Sequence, residues 1–309
     1  MPLLPTVIGW TACLVLGFYL QRRVRDAGRL SHVLFVVTFW VTEPVLVFFA
    51  YTTVSFNARL LAAGAVVVVS SWLVLGMGAA SGAVGRRDTR KRGALALGSA
   101  MGNTASVGYP LALAVFGPAG LALAVVYSVF QFLIPALAVS RAVARHYAGP
   151  CSRTAPEPGL SSLLRGWVIN PLVAAGAAAL ALHYGGVDLR HVVAPIGPPV
   201  GVATGMFGFF QLGLATPLER MAHGLSDVVL AGTTLTLRCA VSPLLLFGLA
   251  RLTGVHMPGV CLLLAATPVA FNTIILARVY DLDSALLRLV VAVSTPLVIV
   301  AVLVGHALL

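Results

Sequence analysis

Residues 101–110 read MGNTASVGYP, and they interrupt a run that is otherwise apolar enough to cross a membrane. The stretch contains Gly102, Gly108 and Pro110. These residues favour an opened helix, because proline lacks the N–H of a helical hydrogen bond and glycine tolerates unusual backbone angles. An opened backbone in hydrocarbon leaves polar groups unsatisfied, so it is tolerated only where protein or a watery cavity surrounds it. The stretch therefore predicts a broken helix beside a cavity.

A second stretch of the same character lies in the other half of the chain. Residues 267–280 read TPVAFNTIILARVY, in which Pro268 lies four residues before an Asn-Thr pair like the one at residues 103–104. Paired interrupted spans are typical of inverted-repeat transporters, in which half-helix N-termini hold an anionic group. An asparagine amide adds N–H donors without burying a charge, so these pairs suit a carboxylate. The predicted substrate-binding residues are Asn103, Thr104, Asn272 and Thr273.

The composition places the chain in a lipid bilayer. Hydrophobic residues make up 59% of the 309 residues and charged residues 9%, and the mean hydropathy is +0.99, whereas soluble domains carry roughly a quarter charged residues. The formal net charge of +11 does not predict nucleic-acid binding. The basic residues fall in short gaps between apolar runs and are not gathered on one folded face.

Ten apolar runs have the length of about 20 residues that a bilayer core requires. They lie at about 3–21, 33–51, 60–82, 94–116, 119–140, 163–184, 192–216, 228–250, 257–278 and 285–307. The longest polar gap, residues 145–162, is rich in Pro, Gly and Ser and is interpreted as a cytoplasmic linker. Five spans lie on each side of it, so related halves 1–144 and 163–309 would enter the membrane in opposite directions, as an inverted repeat.

Basic residues predict the orientation of the chain. Sixteen Lys and Arg residues lie in alternate gaps, and three, Arg59, Arg190 and Arg251, lie in the opposite gaps. The positive-inside rule then places both termini on the non-cytoplasmic side of a multi-pass protein of the cell membrane. No signal peptide is expected, because the basic residues follow the first apolar run instead of preceding it.

Two charged residues near the middle of spans are further candidates, namely Glu43 and Arg238. Charges inside a membrane are costly and are functional candidates by default, although a structural ion pair between the two is an alternative. Tyr127 and Gln131 could line the cavity or bond a neighbouring helix. The sequence has no metal-ligand spacing, and no metal or cofactor is expected.

Both stretches resemble a known family of membrane proteins. GNTASVGYPLALAVFGPAGLALA and TPVAFNTIILARVYDLDSA, with the later VSTPL, resemble the fourth, ninth and tenth helices of the auxin efflux carrier family. The resemblance implies ten helices with crossing broken helices 4 and 9, an arrangement shared with bile-acid symporters, and secondary transport of organic anions. Asn103 and Asn272 match the crossover asparagines, and Pro268 matches the crossover proline of the ninth helix.

The compact prokaryotic members of that family, described as malonate or malate permeases, are more similar to this chain than the plant carriers. Plant carriers have proline where Gly102 stands and a long central loop that is missing here, so auxin is not the expected substrate. A transporter is favoured over an enzyme, because the spans show no catalytic motif and Glu43 is the one acid inside them. It is favoured over a receptor, because a receptor would not need paired broken helices. A sodium-coupled bile-acid-like symporter is the alternative. The expected partners are a small organic anion, the bilayer, and a proton or sodium ion, and a homodimer is an open alternative.

Overall fold

The computed structural model describes residues 3–84, 88–133, 141–148, 170–215 and 224–308. Every regular element in these residues is helical. The α-helices are α1 (Leu3–Gln21), α2 (Ala27–Val37), α3 (Glu43–Thr53), α4 (Ala58–Val84), α5 (Thr89–Ala100), α6 (Tyr109–Ser128), α7 (Arg141–His146), α8 (Pro171–Tyr184), α9 (Arg190–Val193), α10 (Gly197–Ala215), α11 (Leu225–Leu235), α12 (Ser242–Thr253), α13 (Gly259–Ala265), α14 (Asn272–Val279) and α15 (Ser284–Leu308). The π-helical segments are π1 (Thr38–Thr42), π2 (Thr104–Gly108), π3 (Val129–Leu133) and π4 (Thr236–Val241).

Several of these helices have the length and composition of membrane spans. In the described residues the segments of spanning length are Ala27–Thr53, Ala58–Ala83, Thr104–Gln131, Leu225–Thr253 and Ser284–Val304, and shorter apolar helices lie at Pro5–Gln21 and Pro171–Tyr184. Large apolar side chains such as Trp40, Leu244 and Val300 are exposed on them, as expected of helices that face lipid. The prediction of an all-helical membrane protein is confirmed, whereas the inverted repeat of ten helices stays a prediction.

Three of the π-helical segments end two residues before a proline. π1, π2 and π4 end just before Glu43–Pro44, Tyr109–Pro110 and Ser242–Pro243. Proline has no N–H and its ring clashes with the carbonyl group four residues earlier, and a π turn is a common way to insert such a residue into a long helix. These prolines therefore widen their helices locally and do not open them. The expectation that Gly108 and Pro110 form the opening of the fourth span is wrong in this respect.

A true interruption inside α6 falls at Gly117. This residue has φ 70° and ψ −165°, so two helical stretches meet there, and Pro118 begins the second. A side chain at this φ would be strained, which explains the glycine. The predicted boundary between the fourth and fifth spans, residues 116–119, coincides with this turn.

The chain forms two compact units, and each draws on both sides of the predicted linker. The first unit comprises Met1–Asn57, Thr104–Ser128 and Pro158–Pro217. The second comprises Ala58–Asn103, Val129–Glu157 and Leu218–Leu309. Residues 149–162 of the predicted linker lie outside the described residues.

The first unit is centred on a close crossing of α1 and α10. A Cβ added to Gly213 would overlap the carbonyl oxygen of Leu14 and lie 2.9 Å from the Cα of Gly17. The two backbones can approach this closely only because neither residue has a side chain. Beside the crossing, the rings of Trp10 and Phe209 stack with centroids 5.4 Å apart and planes within 5°.

The second unit packs α4 against α5 through small residues. A Cβ on Gly78 would lie 3.1 Å from the Cα of Ala96, and one on Gly82 would lie 3.2 Å from the Cα of Arg92. Gly78 and Gly82 lie four residues apart in GMGAASGAVG, and small residues at this spacing favour such close helix packing.

Two ion pairs lie at one end of the second unit. Arg90 Nη2 lies 2.5 Å from the Asp281 carboxylate, and Lys91 pairs with Asp227. Partly exposed pairs of this kind contribute only about 0 to 1 kcal/mol. The pairs do show that the starts of α5 and α11 and the turn between α14 and α15 lie at the same end of the unit. The positive-inside rule assigns the polar gaps at these three places to the same side of the membrane.

Candidate functional site

Two helix breaks meet in the second unit. α5 ends at Ala100 and helical structure resumes at Thr104, while α13 ends at Ala265 and α14 begins at Asn272. Both interruptions lie within the stretches predicted as the fourth and ninth spans. They fall at residues 101–103 and 266–271.

The two breaks satisfy each other's backbone groups. Gly102 and Val269 form an antiparallel bridge. The Asn103 N–H donates to the Pro268 carbonyl at 2.7 Å, and the Ala270 N–H donates to the Met101 carbonyl at 2.9 Å. Each unsatisfied group in hydrocarbon would cost several kcal/mol. The pairing explains how two interrupted helices persist at membrane depth.

Arg238 holds the ends of the half-helices that run into the crossing. Its Nε donates to the Thr267 carbonyl at 3.0 Å and its Nη1 to the Ala100 carbonyl at 3.3 Å. Nη2 donates to the Leu264 carbonyl and to Thr267 Oγ1, both at 3.1 Å. The carbonyls at a helix C-terminus lack intrahelical partners and carry partial negative charge. The guanidinium, only 1% exposed, therefore neutralises the C-terminal ends of α5 and α13.

The space for this guanidinium explains Gly102. A Cβ at Gly102 would overlap Nη2, lie 2.5 Å from Cζ of Arg238 and lie 2.6 Å from Thr267 Oγ1. Gly102 is not among the residues with positive φ, so the explanation from unusual backbone angles is wrong at this position. Glycine is required here because a charged side chain lies directly against its Cα.

Asn272 lies at the other end of the second break, at the N-terminus of α14. Its side chain is half-buried. Among the described residues, no acceptor is found for the backbone N–H groups of Phe271 and Asn272 or for the Asn272 amide. A helix N-terminus with free N–H groups attracts negative charge. This end of the crossing is consequently suited to an anion.

The other predicted substrate-binding residues differ in their surroundings. Asn103 is 7% exposed, lies in the second unit and is engaged in contacts. Thr273 is fully buried and its hydroxyl donates to the Ala270 carbonyl at 2.7 Å, which fixes the turn before α14. Thr104 is also buried and begins π2 in the first unit.

The remaining candidates are divided between the two units. Glu43 begins α3 and belongs to the first unit, whereas Arg238 belongs to the second. Tyr127 and Gln131 are both buried, the former in the first unit and the latter in the second. The ion pair between Glu43 and Arg238 stays a hypothesis, but the partners described for Arg238 are backbone carbonyls and a threonine hydroxyl.

Two polar residues of the crossing were not predicted. Thr267 accepts from Arg238 through its carbonyl and its hydroxyl, and Ser294 Oγ accepts from the Val269 N–H at 3.4 Å. Thr267 directly precedes Pro268, and Ser294 lies in the sequence VSTPL. Small hydroxyl residues close to a proline within an apolar run are the sequence signal for such partners, because the backbone groups freed by a helix break require nearby donors and acceptors.

Comparison with known proteins covers the first part of the chain. Residues 13–144 match the family model described as "Membrane transport protein". No curated protein matches the chain. The matched residues include Gly102 and Asn103, but they end before Arg238 and Asn272. The match and the apolar helices together indicate a multi-pass membrane transporter.

Proposed function

We propose that this chain is a secondary transporter that moves small organic anions by alternating access. In this proposal the substrate carboxylate binds at the crossing of the two broken helices, at the N-terminus of α14. Asn272 and Asn103 donate hydrogen bonds to it from their amides, with Thr104 and Thr273 nearby in sequence.

One observation carries this proposal, namely the set of donors at the start of α14 that have no described acceptor. Two backbone N–H groups and an amide belong to the first residues of this half-helix, whose positive dipole end adjoins the break. Such groups can replace the hydration of a carboxylate without introducing a further buried charge. The family match to residues 13–144 supports transport in general.

The proposed substrates are short aliphatic mono- or dicarboxylates of the malonate and malate type, carried across the cell membrane. This choice follows the resemblance to compact prokaryotic permeases. A sodium-coupled organic-anion symporter is the alternative coupling scheme. A proton-carrying role for Glu43 is a further part of the proposal.

Counterflow in proteoliposomes tests the proposed function. Liposomes containing the purified protein are loaded with unlabelled malonate, malate, hexanoate or indole-3-acetate, and uptake of the same labelled anion is followed. We expect the aliphatic carboxylates to exchange faster than in protein-free liposomes, and indole-3-acetate to remain at the protein-free rate. If no carboxylate exchanges above the protein-free rate, the proposed function is wrong.

The orientation of the chain is proposed from the distribution of basic residues, which places the linker around Cys151 in the cytoplasm and both termini outside. In a background that lacks Cys13, Cys239 and Cys261, we expect an impermeant maleimide to label Cys151 only after cell lysis. Arg59→Cys in a fully cysteine-free background is the control, because Arg59 is exposed on the predicted outer side and should react in intact cells. Rapid labelling of Cys151 before lysis would reverse the orientation.

A further inference from the structure

The guanidinium of Arg238 has the surroundings of a bound cation. At least four hydrogen bonds join it to oxygen atoms, and these come from Ala100, Leu264 and Thr267. Three of the four acceptors are backbone carbonyls at the C-terminal ends of two half-helices. A guanidinium is charged at every accessible pH, so these oxygens replace the water that a buried cation has lost.

Carbonyl oxygens at the ends of interrupted helices, with a nearby hydroxyl, are also the ligands that broken-helix transporters offer to a coupling sodium ion. In this chain the same type of oxygen cluster is already occupied by a side chain. Gly102 leaves the required space, since any Cβ there would overlap Arg238 Nη2. These oxygens could otherwise bind a free cation from solution. In this chain they bind the guanidinium of Arg238, which is part of the protein.

We propose that Arg238 is a resident cation at the crossing, which takes the place of a coupling sodium ion and makes anion transport independent of sodium. The sodium independence of anion transport rests on the proposed function. The occupancy of the site can be measured without any substrate. Arg238 is a positioning residue in this scheme, because it holds two half-helix ends while the anion binds at the start of α14.

Removal and replacement of the cation test the site itself. Arg238→Ala deletes a group equivalent to ethylguanidinium and leaves the carbonyl oxygens of Ala100, Leu264 and Thr267 behind. We expect ethylguanidinium, at about a hundredfold excess over its dissociation constant, to raise the melting temperature of this variant by about 5 to 10 °C relative to choline at equal ionic strength.

Arg251→Ala is the matched control for this experiment. Arg251 lies near the end of α12, is exposed, and has its guanidinium carbon 5.0 Å from the centre of the Phe247 ring. Loss of an exposed arginine creates no buried cluster of oxygens, so ethylguanidinium should not raise the melting temperature of Arg251→Ala. Equal responses of the two variants, or no response of Arg238→Ala, would overturn the assignment of a cation site.

The wild-type protein provides the second measurement, which does not depend on the folding of any variant. We expect its melting temperature and its counterflow rate to be unchanged, within twofold for the rate, when sodium is replaced by choline. A requirement for sodium in either measurement would overturn the proposal. If wild-type liposomes exchange no carboxylate at all, the proposed function fails, and the ethylguanidinium result still decides whether Arg238 occupies a cation site.

Discussion

Gly102→Ala is expected to destabilise the protein by about 3 to 5 kcal/mol, the range found when a buried charge loses its partners. The new methyl group would occupy the position of Arg238 Nη2 and press on Thr267 Oγ1. The guanidinium would have to leave the carbonyls of Ala100 and Leu264, and no water is available to replace them in a site that is 1% exposed. Denaturation of the purified protein in mixed micelles measures the effect.

Gly248→Ala is the matched control for Gly102→Ala. Gly248 lies in α12, on the same helical segment as Arg238, and a Cβ added there would meet nothing within 4 Å. Because alanine has the higher helix propensity, this change should stabilise the protein slightly, by about 0.5 to 1 kcal/mol. Similar stabilities for the two variants would show that the close approach between Gly102 and Arg238 does not exist in solution.

Asn272→Ala is expected to weaken binding of the transported anion by about 10- to 150-fold. The estimate corresponds to one hydrogen bond to a charged group, about 1.5 to 3 kcal/mol. Asn103→Ala should lower the affinity by a similar factor, because in the proposed site its amide donates to the same carboxylate. The measurement is the half-saturating concentration in counterflow, with the anion that the wild-type protein exchanges fastest.

Asn170→Ala is the matched control, because it removes a buried asparagine amide that is not part of the proposed substrate site. Asn170 is as buried as Asn103, but its side-chain oxygen accepts from the Leu172 N–H at 2.9 Å and caps the N-terminus of α8. Its removal should cost about 1 kcal/mol of stability and leave anion affinity unchanged. Folded Asn272→Ala protein with wild-type affinity would place the carboxylate elsewhere.

The breaks of the two helices could be predicted from sequence, because their signals are local. Asn-Thr pairs beside Gly102 and Pro268, within runs that otherwise suit a membrane, identify backbone that must find partners other than its own helix. Pro110 does not mark an opening, since a proline in an apolar helix can be accommodated by a π turn as well as by an opening. The choice depends on neighbouring helices, which the sequence does not display.

The role of Arg238 illustrates what the sequence could not provide. An intramembrane arginine suggests an acidic partner, and Glu43 was the one acid available to reasoning from sequence. Three of the four acceptors described for Arg238 are carbonyl oxygens, which every residue has and which therefore leave no compositional signal. The one at Ala100 is 138 residues away along the chain. Only the fold brings it within reach of the guanidinium.

The bridge between Gly102 and Val269 also has a consequence for biosynthesis. The two strands of the crossing are separated by about 170 residues, which a ribosome adds in roughly 10 to 30 s at about 5 to 20 residues per second. During this interval the backbone groups of the first break lack their partners in the second, which opposes their burial in lipid. We therefore expect the first interrupted span to complete its insertion only after the second half of the chain has been synthesised.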